Sequence, residues 1–289
     1  MELIYSPRGE IYVRIQADSD LTFVDEKYKN ENYTIQISDT LSSEQLQLFV
    51  QEFKEVRKLS LINTQEGELD FLYELKNLNT LNIHFYSDIV AFVDFKRIAL
   101  LDSLSMNWYP TYFKNIEYQS NSLKHLNISD LLVADLTILE PLVHLETFRT
   151  VGGKLRCLNG IERWSKLKKL EISAHRSLSN IDSLINLQKL KFLEINTCWK
   201  LQDFSPIGQL SELEVLKIID CKNLASIQFV KNMPQLRQLY TLGTTLINDY
   251  DTTPAEHIPI FFGSLDKKYT KMYPEKEIRE EQRTWSSYS

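Results

Sequence analysis

Leu167-Lys-Lys-Leu170-Glu-Ile172, Leu190-Lys-Phe-Leu193-Glu-Ile195 and Leu213-Glu-Val-Leu216-Lys-Ile218 are three versions of one phrase, and their first residues lie 23 positions apart. Each copy keeps apolar residues at its opening position, at +3 and at +5. A constant period of roughly 20–29 residues marks a solenoid. Each unit supplies one short strand and buries its apolar face only by stacking on its neighbours.

The phrase extends in both directions. Openers fall at Val56, Leu78, Leu101, Leu123, Leu145, Leu167, Leu190, Leu213 and Leu236, always 22 or 23 residues apart. The +3 column reads Leu59, Leu81, Leu104, Leu126, Phe148, Leu170, Leu193, Leu216 and Leu239. A second apolar pair precedes each next opener: Leu69/Leu72, Phe92/Phe95, Phe113/Ile116, Leu136/Leu139, Leu158/Ile161, Ile181/Leu184, Phe204/Ile207 and Ile227/Val230. Three-residue spacing inside each pair suits one face of a helical or 3₁₀ turn. The unit therefore reads strand, loop, short helical segment and return.

Over Val56 to Thr241 the chain resembles the leucine-rich repeat superfamily. Its 22–23-residue units are similar to the short cytosolic and bacterial types rather than the longer ribonuclease-inhibitor type. The resemblance implies an α/β solenoid capped at both ends, with a curved parallel sheet on the concave side and short helical or 3₁₀ segments on the convex side. It also implies a non-catalytic module that binds a protein partner on the concave face and adjoining loops. One departure stands out. The +8 position, usually Asn in the family, carries Thr64, Tyr86, Tyr109, Leu131, Gly153, His175, Cys198, Cys221 and Thr244. Without that ladder, backbone groups in the loops need other partners.

Residues 1–55 read as an N-terminal β-rich cap with a helix, 56–242 as nine repeats, and 243–289 as a C-terminal cap or binding tail with a helix. In the first block, Ile4-Tyr5 and Ile11–Ile15 flank the turn Ser6-Pro-Arg-Gly9, and Leu21–Val24 and Tyr33–Ile37 are further strand candidates. Thr40 or Ser42 is the expected N-cap of a helix carrying Leu46, Phe49, Val50 and Phe53. After Leu242 the register fails, although Leu246, Ile247 and Tyr250 could begin a degenerate tenth unit. Pro254 and Pro259 break the pattern, and Tyr273 to Arg283 reads as a helix with proline near its start. Phe261, Phe262, Met272, Ile278 and Trp285 are its candidate covering residues.

Composition narrows the function. The 289 residues include 33 Lys+Arg and 39 Asp+Glu, for a net charge of −6, which argues against a nucleic-acid-coating role. The first ten residues lack a signal-peptide pattern, and no apolar run of about 18 residues suggests a membrane span. Three cysteines make no disulfide framework. A reducing, cytoplasmic, monomeric protein is the simplest expectation, and the sequons at Asn32 and Asn127 are then chance matches.

Catalytic signatures do not hold up. Val151-Gly-Gly-Lys154 lacks the phosphate-loop frame, and its repeat position predicts a loop. His84, His125, His144, His175 and His257 form no zinc spacing. Cys198 and Cys221 share a ladder position in consecutive repeats, which predicts stacked, inert core thiols over a disulfide or metal pair. We expect no enzyme activity, no cofactor and no metal.

Side chains alternate along a strand. When the opener, +3 and +5 are buried, the residues at +1, +2, +4, +6 and +7 face the concave side or its rim. The candidate contact residues are Asn127, Arg149, Glu171, Glu194, Lys217 and Tyr240 in the +4 column, with Phe85 and Trp108 at +7 and Trp199 at a loop edge. Phe85 and Trp108, with Tyr86, Tyr109 and Tyr112 close by, either form an exposed hot spot or fold over their own loops to fill the space of the missing Asn ladder. The mixed charges suit a protein partner better than a phosphate backbone or a membrane. Alternatives are an immunity-type protein occluding a bacterial toxin, a phosphatase-regulating inhibitor, or the recognition arm of a larger effector. Only about 45 residues follow the repeats, without a cysteine nucleophile, which argues against an attached ligase.

Overall fold

The structure is a computed structural model describing residues 1–62, 67–85, 91–108, 113–263 and 268–270. It divides into two compact units. The first comprises 1–131 and 141–145, the second 132–140 and 146–289.

In the first unit, β1 (Glu2–Tyr5) and β2 (Ile11–Ile15) pair antiparallel. The Ser6–Glu10 reversal joins them, with Gly9 at φ +81°. From there every sheet pairing is parallel: β3 (Thr34–Ile37), β4 (Lys58–Ile62), then β6 (Thr80–His84), β8 (Ser103–Asn107) and β10 (His125–Leu131). Three short strands, β5 (Gly67–Glu68), β7 (Ala91–Asp94) and β9 (Phe113–Lys114), form a second parallel sheet. Val13, Ile35, Leu59, Leu81, Leu104 and Leu126 stand opposite one another in register, each at most 2% exposed. Burying each such side chain stabilises the unit by about 1.5–3 kcal/mol before conformational entropy is counted.

Parallel register thus begins inside residues 1–55, at Val13/Ile15 and Ile35/Ile37. The helix expected there is α1 (Ser43–Glu52). Ser42 caps it through a reciprocal pair, its Oγ accepting from Gln45 N at 3.2 Å and Gln45 Oε1 accepting from Ser42 N at 2.9 Å. Leu21–Val24 is not a strand: Asp20 Oδ1 accepts from both Thr22 N and Thr22 Oγ1, a local turn that competes with ladder pairing. Phe92 and Phe95 belong to the β7 region rather than a helical turn.

In the second unit, β11 (Thr147–Gly153), β12 (Lys169–Ser173), β13 (Phe192–Asn196), β14 (Val215–Ile219), β16 (Gln238–Leu242) and β18 (Ile260–Gly263) form a parallel sheet. Two-residue strands β15 (Asn223–Leu224) and β17 (Leu246–Ile247) pair beside it. The return segments are 3₁₀ turns at Thr137–Leu139, Asp182–Asn186, Ser205–Gln209 and Gln228–Asn232. Leu158/Ile161 makes only a turn. Phe148, Leu170, Leu193, Leu216, Leu239 and Phe261 line up in register and are buried.

The register does not fail after Leu242. Ile258, 22 residues after Leu236, opens one more unit, whose +3 residue Phe261 faces Leu239. Pro254 is accommodated in a 3₁₀ turn at Thr253–Ala255 and Pro259 sits just ahead of β18, where neither has to donate to the ladder. Tyr269 Oη accepts from Ile247 N at 3.0 Å. The helix expected over Tyr273–Arg283, with Met272, Ile278 and Trp285, lies outside the described residues.

Candidate functional site

With +3 and +5 inside, the second unit's outward sheet face is built from +2, +4 and +6. Strand pairing sets Arg149, Glu171, Glu194, Lys217, Tyr240 and Phe262 side by side on six consecutive strands. The +2 row beside it includes Lys169, Phe192, Val215 and Gln238. Phe192 is the hub of the face. Lys169 Nζ lies 4.9 Å and Lys217 Nζ 5.1 Å from its ring centroid. The same cations pair with carboxylates, Lys169 with Glu171 at 3.2 Å and Lys217 with Glu194 at 3.3 Å.

Those four charges differ in exposure. The Lys217 and Glu194 side chains are only 11% and 16% exposed. Burial pushes the Lys217 ammonium below its ordinary value, against the pull of Glu194 and Glu171. Such a pair is screened little by salt and is held in one geometry. Arg149, at the other end of the row, is exposed. Tyr240 stacks on Phe262 with ring centroids 5.4 Å apart and donates to Gln238 Oε1 at 3.3 Å, which leaves it 7% exposed. Lys217 and Tyr240 therefore offer little surface of their own, because each packs against an aromatic ring. Phe192 and Phe262 do not appear among the residues expected to make contact, although the +2 column and the second-unit register contain them.

The first unit carries a different row. Arg14, Gln36, Ser60, Asn82, Ser105 and Asn127 follow one another in register. Asn127 Nδ2 donates to Ser105 Oγ at 2.9 Å, and His84 Nε2 lies 2.9 Å from the same oxygen. The buried Asn127 Oδ1 has no hydrogen-bond partner among the described residues. This row is neutral from Gln36 to Asn127. A cleft of about 330 Å³ beside the helix is lined by Tyr28, Tyr33, Phe53 and Arg57, and two of its cations are matched internally: Lys29 pairs with Glu26 and Glu52, and Arg57 with Glu31.

Phe85 and Trp108 do not form the exposed hot spot that is one of their two expected roles: they are 3% and 1% exposed. The reason is backbone torsion at +7. Asp130, Gly152, Ala174, Thr197, Asp220 and Gly243 occupy that position in six successive repeats, all with φ between +53° and +74°. Phe85 and Trp108 are not in this left-handed conformation, and their side chains are buried in the core instead. Phe85 N donates to Asn107 Oδ1 and Trp108 N to Ser129 O. Tyr86, Tyr109 and Tyr112 lie outside the described residues, as does Thr64.

At +8 Leu131, His175, Cys198 and Cys221 turn inward, whereas Thr244 is exposed. His175 is fully buried, its Nε2 lies 3.0 Å from Thr150 Oγ1, and burial takes its pKa down to about 4. Burial pushes the Cys198 thiol up to about 12 and the Cys221 thiol up to about 11. A thiol with so high a pKa is a poor nucleophile at neutral pH. Both hydrogen-bond to backbone carbonyls, Cys198 to Asn196 O and Cys221 to Ile219 O, doing part of what ladder amides do elsewhere. Among the described residues no group of three His, Cys, Asp or Glu side chains could hold a metal ion. No described helix is long and apolar enough to cross a membrane.

No protein-family model matches the chain, and no curated protein matches it. Solved structures do. An internalin (InlF) from Listeria monocytogenes superposes with a TM-score of 0.56 at 18% identity, over 81% of this chain and 75% of that one. TLR13, solved as a complex with ssRNA13, gives 0.53 at 20% identity over 71% of this chain and 32% of that one. The leucine-rich repeat domain of the type III effector XopL gives 0.49 at 17% identity. The chain has the leucine-rich repeat fold. At these identities the likeness is one of fold. Within that leucine-rich repeat frame, Trp199 is 37% exposed at a loop edge, nine residues after its opener, and Arg176 and Lys222 flank its ring.

Proposed function

We propose that this leucine-rich repeat protein is a non-catalytic module that binds a protein partner on the second unit's outward sheet face. The observation that carries this reading is the Phe192 hub. One aromatic ring is gripped by Lys169 and Lys217, which are themselves paired with Glu171 and Glu194. Interface hot spots favour an aromatic centre in well-packed surroundings, and side chains already held in place lose little entropy on binding. Mixed charges in fixed positions select a partner by complementarity rather than by bulk attraction. Arg149 at the exposed end supplies the rim contact, and Asn127 lies on the neutral row of the first unit. A cytoplasmic setting and a monomeric state go with this reading, in which the partner is neither nucleic acid nor membrane.

The test is affinity capture with mass spectrometry on wild type, Phe192→Ala and Arg149→Glu, each first shown to melt at the same temperature. A single enriched protein that both variants lose supports the sheet face. Retention of that protein by both variants refutes it. A captured toxin or phosphatase would further identify the role as immunity or regulation.

A further inference from the structure

The loops that follow β11 to β14 carry a second feature, distinct from the sheet face. Nine residues after successive openers stand Lys154, Arg176, Trp199 and Lys222, all exposed. Register is maintained through these loops. Arg176 Cζ and Lys222 Nζ each lie 4.4 Å from the Trp199 ring centroid, from the repeats before and after it. Lys154 stands one repeat ahead of Arg176. Arg156 and Lys200 add two more exposed cations in the same loops. The stretches 152–157, 174–178, 197–202 and 221–224 hold these five cations and no Asp or Glu.

This edge contrasts with the rest of the molecule. The whole chain has a net charge of −6, and many of its lysines already have carboxylates, as in Lys124–Asp102, Lys168–Glu146 and Lys191–Glu214. Among the described residues Lys154, Arg176, Lys200 and Lys222 form no ion pair. The nearest acid in sequence, Asp220, directs Oδ1 to Thr244 N at 2.8 Å. Two cations stacked on one tryptophan repel each other across its ring, and a carboxylate placed between them relieves that repulsion. Lys222 itself has φ +62°, a cost that holds it beside the ring.

We propose that this loop edge takes an acidic polypeptide segment, laid extended across consecutive repeats. Its carboxylates meet Arg176, Lys222, Lys154 and Lys200, and an apolar or aromatic side chain covers Trp199. Repeats spaced by about 4.8 Å present cations at a pitch an extended chain can follow. A nucleic acid fits less well, because a protein that reads phosphates shows a basic excess over the domain. The proposal stands independently of the sheet-face reading.

The experiment uses the full chain and a fluorescein-labelled peptide of alternating glutamate and tyrosine, followed by anisotropy. Single-stranded oligothymidylate is the competing probe. Binding of the peptide is expected, weakening as salt rises. Arg176→Glu/Lys222→Glu is expected to weaken it by about tenfold or more, since both pairings become repulsions. Trp199→Ala weakens it several-fold. Lys189→Glu/Lys231→Glu changes the net charge equally at exposed positions elsewhere and is expected to have a much smaller effect. Three results overturn the proposal: no peptide binding, an equal loss in both double variants, or tighter binding of oligothymidylate than of peptide.

Discussion

His175 makes the second unit sensitive to acid in a calculable way. Its ring is fully buried, and its Nδ1 has no hydrogen-bond partner among the described residues. Burial lowers its pKa from 6.5 to about 4. As pH falls, the unfolded chain takes up the proton first and the folded chain resists it. The stability contributed by neutral His175 is therefore full above 6.5, falls as pH drops towards 4, and levels off below that. Between about pH 7 and about pH 5 this one group removes about 2 kcal/mol. Urea unfolding followed by circular dichroism at several pH values reads the slope. The control is His175→Asn, which places at +8 the side chain common in the family and removes the titration. We expect wild type to lose about 2 kcal/mol more than the variant over that interval, whatever the variant's stability at neutral pH. Parallel pH profiles would refute the reasoning, because they would mean His175 is protonated in both states or in neither.

Glycine contacts and thiol burial make two further predictions. At Gly160, φ is +104° and an added Cβ would stand 2.4 Å from the Leu136 carbonyl carbon, whereas at Gly9, with φ +81°, it would meet nothing within 4 Å. Gly160→Ala should cost roughly 2–5 kcal/mol and Gly9→Ala about 1–2 kcal/mol in thermal melting; equal losses would remove the close contact from the account. With their thiols pushed up to about 12 and about 11, Cys198 and Cys221 should resist iodoacetamide in the native protein near neutral pH and react only in denaturant, while half-buried Cys157 reacts first. Peptide mapping reads this directly, and early labelling of Cys221 would contradict its burial.

Much of the fold was legible because its period is carried by large apolar residues that have nowhere else to go. Leu170, Leu193 and Leu216 announce their register in letters alone. Val13/Ile15 and Ile35/Ile37 keep the same register without leucine openers, so the parallel sheet starts earlier than the leucine pattern suggests. Phe92 and Phe95 show the limit of spacing: a gap of three apolar positions fits a 3₁₀ turn and also a bent strand, and tertiary pairing of β7 with β5 and β9 decides. At the site, the +4 row was legible from Arg149 to Tyr240, but the letters do not show that Lys217 and Tyr240 are buried against aromatic rings. Phe192 was hidden because it sits inside the repeat phrase itself, between two leucines that demand attention. Phe85 and Trp108 left two readings open, exposed or folded in, for a different reason. The direction of a side chain just past a strand depends on one φ angle, and aromatic letters do not reveal it.

The six left-handed residues at +7 are Asp, Gly, Ala, Thr, Asp and Gly, four kinds of side chain holding one torsion. An alanine and a threonine occupy a conformation that both resist, at a cost of about 1–2 kcal/mol each. Stacked units share their exit angle because each strand must hand the chain to the next loop along the same path. One repeat that left its strand differently would displace every later one. Geometry is thus inherited from neighbour to neighbour while the alphabet drifts, which explains how a chain can superpose on an internalin and still match no family by its letters.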